Sequence, residues 1–456
     1  SLLAISGADG TVLWWHRALP ELPDGATALP ESRWHGAEGV AFGIPAVVDV
    51  NEDGISDFVT GFALRKGGLY LHPRAVFPDD LGFLGFDAQN WLVAVCGASG
   101  RPLWRCPLDV DVRAGSRPGA YPDQSQLCCR FEVARVKERS LIVGVIAQQL
   151  IGVNSQTGEM AWPPYPLPFY PRCAPSVRDL NGDSSDDVLL LDHHLRAIEL
   201  ASLLNAADSA EEPAAASPLP ELWHRTFARV ADQQSLEFVD CHWLVAEDLD
   251  RDGALEIAVA AGEFDDETRP GYSEFKNGID LLDAATGETR WTFRRPSRRQ
   301  DQASNIDRLI VGPDIDGDGC RDLFAAWIGP PDDSALRWRL EIKAVAISGR
   351  DGQLLWQWQD LLGQSFQKVP DSGPLKWSQS GSDGLPLLAV PVRDKRGSED
   401  VTYFLSASIG RLEHTLAGIS ESNVADFNND GLVDLSYRVS PQGAPRLLVI
   451  QGTPSE

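Results

Sequence analysis

At five places the chain sets side-chain oxygens two residues apart, then adds a turn residue and a closing acid. The stretches are VVDVNEDGISDFVTG from Val47, VRDLNGDSSDDVLLL from Val177, AEDLDRDGALEIAVAA from Ala246, GPDIDGDGCRDLFAAW from Gly312 and VADFNNDGLVDLSYRV from Val424. With the first Asp as position 1, positions 1, 3 and 5 aim their oxygens at one point. Gly at position 6 permits the sharp turn, position 7 offers a carbonyl and position 9 closes the set. The candidate ligands are Asp49, Asn51, Asp53 and Asp57; Asp179, Asn181, Asp183 and Asp187; Asp248, Asp250, Asp252 and Glu256; Asp314, Asp316, Asp318 and Asp322; Asp426, Asn428, Asp430 and Asp434. An all-oxygen, carboxylate-rich donor set selects Ca²⁺ over Zn²⁺ or Cu²⁺. The closing acid at position 9 rather than 12, and flanking strands rather than helices, distinguish these loops from EF-hands. Ser184 stands at position 6 of the second loop, so a weaker site is expected there.

The elements that must hold such loops are strands. Each loop lies between two apolar, β-branched or aromatic runs, the pattern of a hairpin. A second pattern, an apolar strand, a Gly-containing turn and a strand ending in Trp, recurs at Trp14, Trp104, Trp162, Trp291 and Trp356, with a weaker copy, LPELW, at Trp223. Successive Trp intervals are 90, 58, 61, 68 and 65 residues, and the loop intervals from Asp49 are 130, 69, 66 and 112. A period near 60 with two hairpins per unit predicts one four-stranded antiparallel blade per repeat. The expected fold is an all-β, seven-bladed β-propeller over residues 1–456, eight blades being the alternative, with a half-unit at residues 1–16. The units around Cys128–Ala147 and Ser378 lack an acidic loop, Asp383 being a remnant in the latter. Loop insertions are expected near 65–90, 107–127, 201–220 and 263–278, the third as a low-complexity mobile loop, and no amphipathic helix is expected.

Composition agrees with this and excludes several classes. A chain of 456 residues, 43% hydrophobic and with 41 Gly and 31 Pro, can build a large core with many turns. The net charge of −26 disfavours nucleic acid and anionic lipid as partners. The five loops hold 17 of the carboxylates, which would repel one another without a cation. No apolar run is long enough to span a membrane, and the first residues do not form a signal peptide. With no initiator Met, and opening in mid-repeat, the sequence reads as part of a longer polypeptide. The seven cysteines show no CxxC spacing and read mostly as small core residues. P-loop, Rossmann, GxSxG and HExxH motifs are absent, and the absence of an N-x-S/T sequon points to an exported, cell-surface or periplasmic bacterial protein.

The loops resemble the FG-GAP repeats of integrin α-chain propellers and their bacterial relatives. That resemblance implies structural calcium sites bracing each blade, with a protein or glycan partner on a propeller face. The stretch LDAATGETRW resembles the tryptophan-docking motif of quinoprotein (PQQ) dehydrogenase propellers, which implies that each Trp packs against the next blade. Adjacent Cys128 and Cys129 are similar to the vicinal disulfide of those enzymes, and EDLDRDGALEIAV is similar to loops of rhamnogalacturonan lyases. A lyase would need a base next to Ca²⁺. His193, His194, His224 and His242 have that chemistry, and Arg294, Arg295, Arg298 and Arg299 form a cationic group. None lies in a recognisable motif, so catalytic residues stay unassigned, and a binding module is the expected function.

Overall fold

A computed structural model describes residues 2–5, 12–16, 38–65, 90–108, 130–146, 149–168, 175–191, 194–209, 219–226, 244–265, 274–294, 308–329, 340–362, 375–380, 385–392, 401–417, 422–425, 434–439 and 446–450. Among them the strands form eight antiparallel sheets in chain order, six of them four-stranded. Sheet 1 pairs Leu2–Ile5 with Val12–His16. Sheet 2 comprises Glu38–Val48, Asp57–Arg65, Asn90–Val95 and Pro102–Leu108. Sheet 3 comprises Glu132–Val136, Arg139–Ile146, Gln149–Asn154 and Met160–Pro166. Sheet 4 comprises Ser176–Arg178, Asp187–Leu191, His194–Ile198 and Glu221–Thr226. Sheet 5 comprises Leu244–Glu247, Glu256–Asp265, Glu274–Asp283 and Thr289–Arg294. Sheet 6 comprises Arg308–Val311, Leu323–Gly329, Glu341–Ile347 and Leu354–Leu361. Sheet 7 comprises Lys376–Ser380, Pro386–Val392, Val401–Ser406 and Leu412–Ala417. Sheet 8 has three strands, Ser422–Ala425, Asp434–Val439 and Arg446–Ile450. The all-β, four-stranded antiparallel expectation is met at this level.

Burial explains the sequence pattern of each sheet. The middle strands are covered on both faces: Asp187–Leu191 and Glu341–Ile347 are buried at every residue, and apart from Asp187, Glu341 and Lys343 they are apolar. The fourth strands have exposed residues interleaved with covered ones, as in Thr289–Arg294. The chain divides into two compact units, residues 1–190 with 197–222, and residues 191–196 with 223–456. In the first, Val59, Leu92 and Ala94 of sheet 2 pack on Ile142, Ile151 and Val153 of sheet 3. In the second, Ala258 and Leu281 of sheet 5 pack on Leu323 and Val345 of sheet 6, and the other face of sheet 6, through Phe324 and Ala344, meets Leu388 and Val390 of sheet 7.

The Trp pattern ties these sheets together. Five indoles each donate their Nε1–H to a backbone carbonyl in the last hairpin turn of the next sheet: Trp14 to Gly97 (2.6 Å), Trp104 to Ser155 (2.7 Å), Trp223 to Ala284 (2.9 Å), Trp291 to Gly349 (2.9 Å) and Trp356 to Ala407 (2.7 Å). Each ring also lies on the left-handed glycine of that turn, where a Cβ would come within 2.4–2.7 Å of ring carbons. The short LPELW copy at Trp223 docks fully, whereas the longer copy at Trp162 does not. The Trp162 Nε1–H donates to Leu150 O (3.3 Å) of its own sheet. The reason lies in sheet 4, where a helix, α1 (Leu200–Asp208), replaces the hairpin turn that would receive the ring. Trp162 instead shares a core with Leu200, Leu203 and Leu204 of α1.

Helix α1 corrects two sequence expectations. It occupies the start of the 201–220 stretch, which was expected to be a mobile loop, and it is amphipathic, burying Leu200, Ala201, Leu203 and Leu204. Its polar side is held by Arg139, whose guanidinium makes two bonds of 3.1 and 3.0 Å to Asp208, and by Lys137 bonded to Asn205. The expected insertion at 263–278 begins and ends as strand, because the hairpin of sheet 5 runs on to Asp265 and restarts at Glu274. Sheet 3 has no acidic loop, as expected: its first two strands meet in a tight turn with Lys137 at φ 57°.

Candidate functional site

Four of the five acidic loops fall among the described residues. Asp426, Asn428 and Asp430 lie outside them, and of Asp434 only its place at the head of the strand Asp434–Val439 is described. Each described loop joins the first two strands of its sheet and has left-handed residues at positions 4 and 6. Glu52 and Gly54, Gly182 and Ser184, Arg251 and Gly253, and Gly317 and Gly319 fill these places. The position-1 carboxylate caps the turn in all four. Asp49, Asp179, Asp248 and Asp314 accept the N–H of Gly54 (2.8 Å), Ser184 (2.9 Å), Gly253 (3.0 Å) and Gly319 (2.9 Å). Ser184 adopts φ 69° where the other loops have Gly. A side chain there carries a steric cost, so Ser184→Gly is expected to raise stability by about 1 kcal/mol, read as a higher denaturant midpoint with unchanged slope.

Position 9 is buried and turned inward. The Asp57, Asp187, Glu256 and Asp322 side chains are all at most 1% exposed. One oxygen of each accepts the N–H of the position-2 residue: Val50 (2.9 Å), Leu180 (3.3 Å), Leu249 (2.8 Å) and Ile315 (2.7 Å). In the first and fourth loops the other oxygen reaches the last hairpin turn of the same sheet, taking the N–H of Gly97 (2.8 Å) and Gly349 (3.1 Å). These are the glycines whose carbonyls accept Trp14 and Trp291. The loop, the turn and the preceding sheet are therefore joined through one glycine, its N–H held by the closing carboxylate and its C=O by the indole. Only glycine fits there, since a Cβ would lie 1.9 Å from Ser56 O at Gly97 and 2.0 Å from Arg321 O at Gly349. The second loop has lost this partner because α1 replaces the turn, and Asp187 Oδ1 is buried without a hydrogen bond.

The chemistry of the loops follows from this burial. Burial pushes the Asp322 carboxyl up to about 6, against the N–H bonds from Ile315 and Gly349, with Asp316 and Asp314 adding repulsion. Asp187 is pushed up to about 7, first by burial, partly offset by the Leu180 N–H, with Asp183, Asp179 and Glu199 adding repulsion. In the third and fourth loops the ligand atoms of positions 1, 3 and 9 converge. Those of Asp248, Asp250 and Glu256, and those of Asp314, Asp316 and Asp322, lie within 4.8 Å of one another. Position 5 belongs to neither set. Asp318 instead accepts the Cys320 N–H (2.8 Å) and the Ser348 hydroxyl (3.4 Å), and Asp252 accepts the Ala254 N–H (2.8 Å). Donor atoms that are all oxygen, two or more of them carboxylate and one buried, fit a hard divalent cation such as Ca²⁺.

The other candidates disperse. His194 Nδ1 is 2.8 Å from the Thr226 hydroxyl, and its ring meets His224 edge-on at 6.4 Å. His193, His242, Arg295, Arg298, Arg299, Cys128, Cys129 and Asp383 lie outside the described residues. Arg294 is committed to the buried Asp280 at 2.7 Å, and Thr292 (2.9 Å) and Arg225 (3.7 Å) complete the cluster around that carboxylate. The sequence reading missed it because its members come from different strands and share no motif. Cys96, Cys106 and Cys320 are buried free thiols, as expected of small core residues. No helix among the described residues is long and apolar enough to cross a membrane.

No protein-family model and no curated protein matches the chain. Solved structures do. Rhamnogalacturonan lyase YesW is similar at 14% identity and a TM-score of 0.47, over 88% of this chain and 59% of that one. The V. cholerae biofilm matrix protein Bap1 is similar at 11% identity and a TM-score of 0.35, over 89% of this chain and 85% of that one. The exotype rhamnogalacturonan lyase YesX is similar at 14% identity and a TM-score of 0.35, over 91% of this chain and 66% of that one. The chain thus spans about 59% of the length of the first of these lyases.

Proposed function

We propose that this chain is a calcium-stapled, seven-bladed β-propeller of the FG-GAP type. In this reading it serves as an exported or cell-surface binding module for a protein or glycan partner. The observation that carries the reading is the fourth loop. Asp314, Asp316 and Asp322 bring three carboxylates within 4.8 Å, and among the described residues no ion pair neutralises them. Such a set is unfavourable until a cation joins it. The role of the cation is structural. It would hold Asp322 ionised against its burial, and Asp322 holds the N–H of Gly349, whose carbonyl receives Trp291. Calcium would thereby brace the contact between two neighbouring sheets and perform no reaction itself.

The test is equilibrium dialysis against CaCl₂ with the metal counted by emission spectroscopy. Asp316→Asn removes one carboxylate of the set and leaves Asp322 in place. It is expected to bind one calcium fewer than the parent chain at a free concentration that saturates the parent. An unchanged count would remove the fourth loop from the metal sites.

A further inference from the structure

The third loop differs from the fourth at three places at once. Its closing acid is Glu256 rather than Asp, its last hairpin turn begins with Asp283, and the residue before its docking Trp is Arg290. In the sheets holding the other described loops the residue before that Trp is Leu103, Leu222 or Leu355. The three departures meet in space. The Arg290 guanidinium lies 2.7 Å from Glu256 Oε1, 3.1 Å from Asp250 Oδ2 and 3.5 Å from Asp283 Oδ2. The turn has adapted as well. The Ala284 N–H bonds Leu255 O (3.0 Å), where Gly349 in the fourth loop bonds the closing carboxylate. Glu256 Oε1 is thus left to face the arginine.

We propose that Arg290 serves as a built-in cation for the third loop, doing there what a metal does in the fourth. The comparison rests on the calcium reading of the other loops. Calcium needs oxygens at about 2.3–2.6 Å. The guanidinium claims two of the oxygens such an ion would need, one each from Asp250 and Glu256, so ion and arginine compete for the same place. Arginine suits this role because it stays charged and presents a planar fork of donors to several carboxylates. Burial and the bonds it makes leave their mark on the neighbours. Burial alone would raise Asp283, but bonds from Thr286 and Arg290 outweigh it and hold that carboxyl below its usual range. Arg290 borders a cleft of about 110 Å³ that Cys320, Gly349 and Arg350 also line. The cleft gives water access to the loop once the side chain is shortened. Asp248 Oδ1, buried without a hydrogen bond, is a further acceptor for an incoming ion.

The test compares the parent chain with Arg290→Gln and Asp250→Asn, by calcium count at saturating CaCl₂ and by thermal melting in EDTA. If Arg290 fills the third loop, Asp250→Asn leaves the parent's calcium count unchanged and Arg290→Gln gains one calcium. In EDTA, Arg290→Gln also melts lower, by on the order of 2 °C. Loss of one calcium in Asp250→Asn would show that the metal binds beside Arg290 and would overturn the proposal. An unchanged EDTA melt for Arg290→Gln would overturn it too, whatever the other loops bind. If Asp316→Asn loses no calcium while Arg290→Gln still melts lower in EDTA, the metal reading of the fourth loop fails and the arginine staple stands.

Discussion

Trp291→Ala is expected to lower the stability of the second unit by about 3–5 kcal/mol, as large-to-small changes at a buried indole do. The side chain is only 9% exposed, lies in the core shared by sheets 5 and 6, and covers Gly352 with its ring. Trp291→Phe should separate packing from hydrogen bonding. It keeps most of the apolar contact and leaves Gly349 O without its donor, a loss of about 1 kcal/mol. Urea unfolding followed by circular dichroism reads both. A parallel change, Trp162→Ala, should also be costly but for a different reason. Trp162 fills the core beneath α1, so its loss is felt within the first unit, where no inter-sheet indole bond is broken. Equal effects of Trp291→Phe and Trp291→Ala would contradict the assignment of most of the energy to packing.

Removing calcium should have the second large effect, and it should depend on pH. A site saturated a hundredfold above its dissociation constant adds about 2.7 kcal/mol. The sign with pH follows from the buried carboxyls. Asp322 and Asp187 stand at about 6 and about 7 in the metal-free fold, above the ordinary 3.8. Between about pH 4 and 7 the folded chain therefore holds protons that the unfolded chain has released, and metal-free stability rises as pH falls through that window. Calcium needs the ionised forms, so its contribution shrinks over the same window. The gap between melts in CaCl₂ and in EDTA should be wide at pH 8 and narrow at pH 5. A gap that widens on acidification would contradict this ordering.

What the sequence disclosed was what repeats within a short window. The acidic loops were legible because their ligands lie within nine residues, and the indoles because a fixed turn precedes every docking Trp but Trp223. Features that depend on a neighbouring sheet were not legible. Trp162 has the motif but no turn to dock into, because the deciding residues are those of α1. Helix α1 itself carried a signal, Leu200, Leu203 and Leu204 at helical spacing, but the Ala-rich stretch after it masked so short a helix. His414 stands four residues after Gly410, where other repeats have Trp, and stacks on Phe404 at 4.3 Å. That substitution is visible in the sequence only once the turn has been aligned by structure. Nothing in the sequence marks Arg290, since its partners Asp250 and Asp283 are 40 and 7 residues away.

The most direct test of the account is the calcium content of the purified chain after exhaustive dialysis against metal-free buffer with and without added CaCl₂. The expected result is about four calcium per chain, one for each of the five acidic loops except the third, lost on chelation together with a fall in melting temperature. A chain that binds no calcium and melts identically with and without EDTA would contradict it, leaving the acidic loops as turns capped by their own carboxylates.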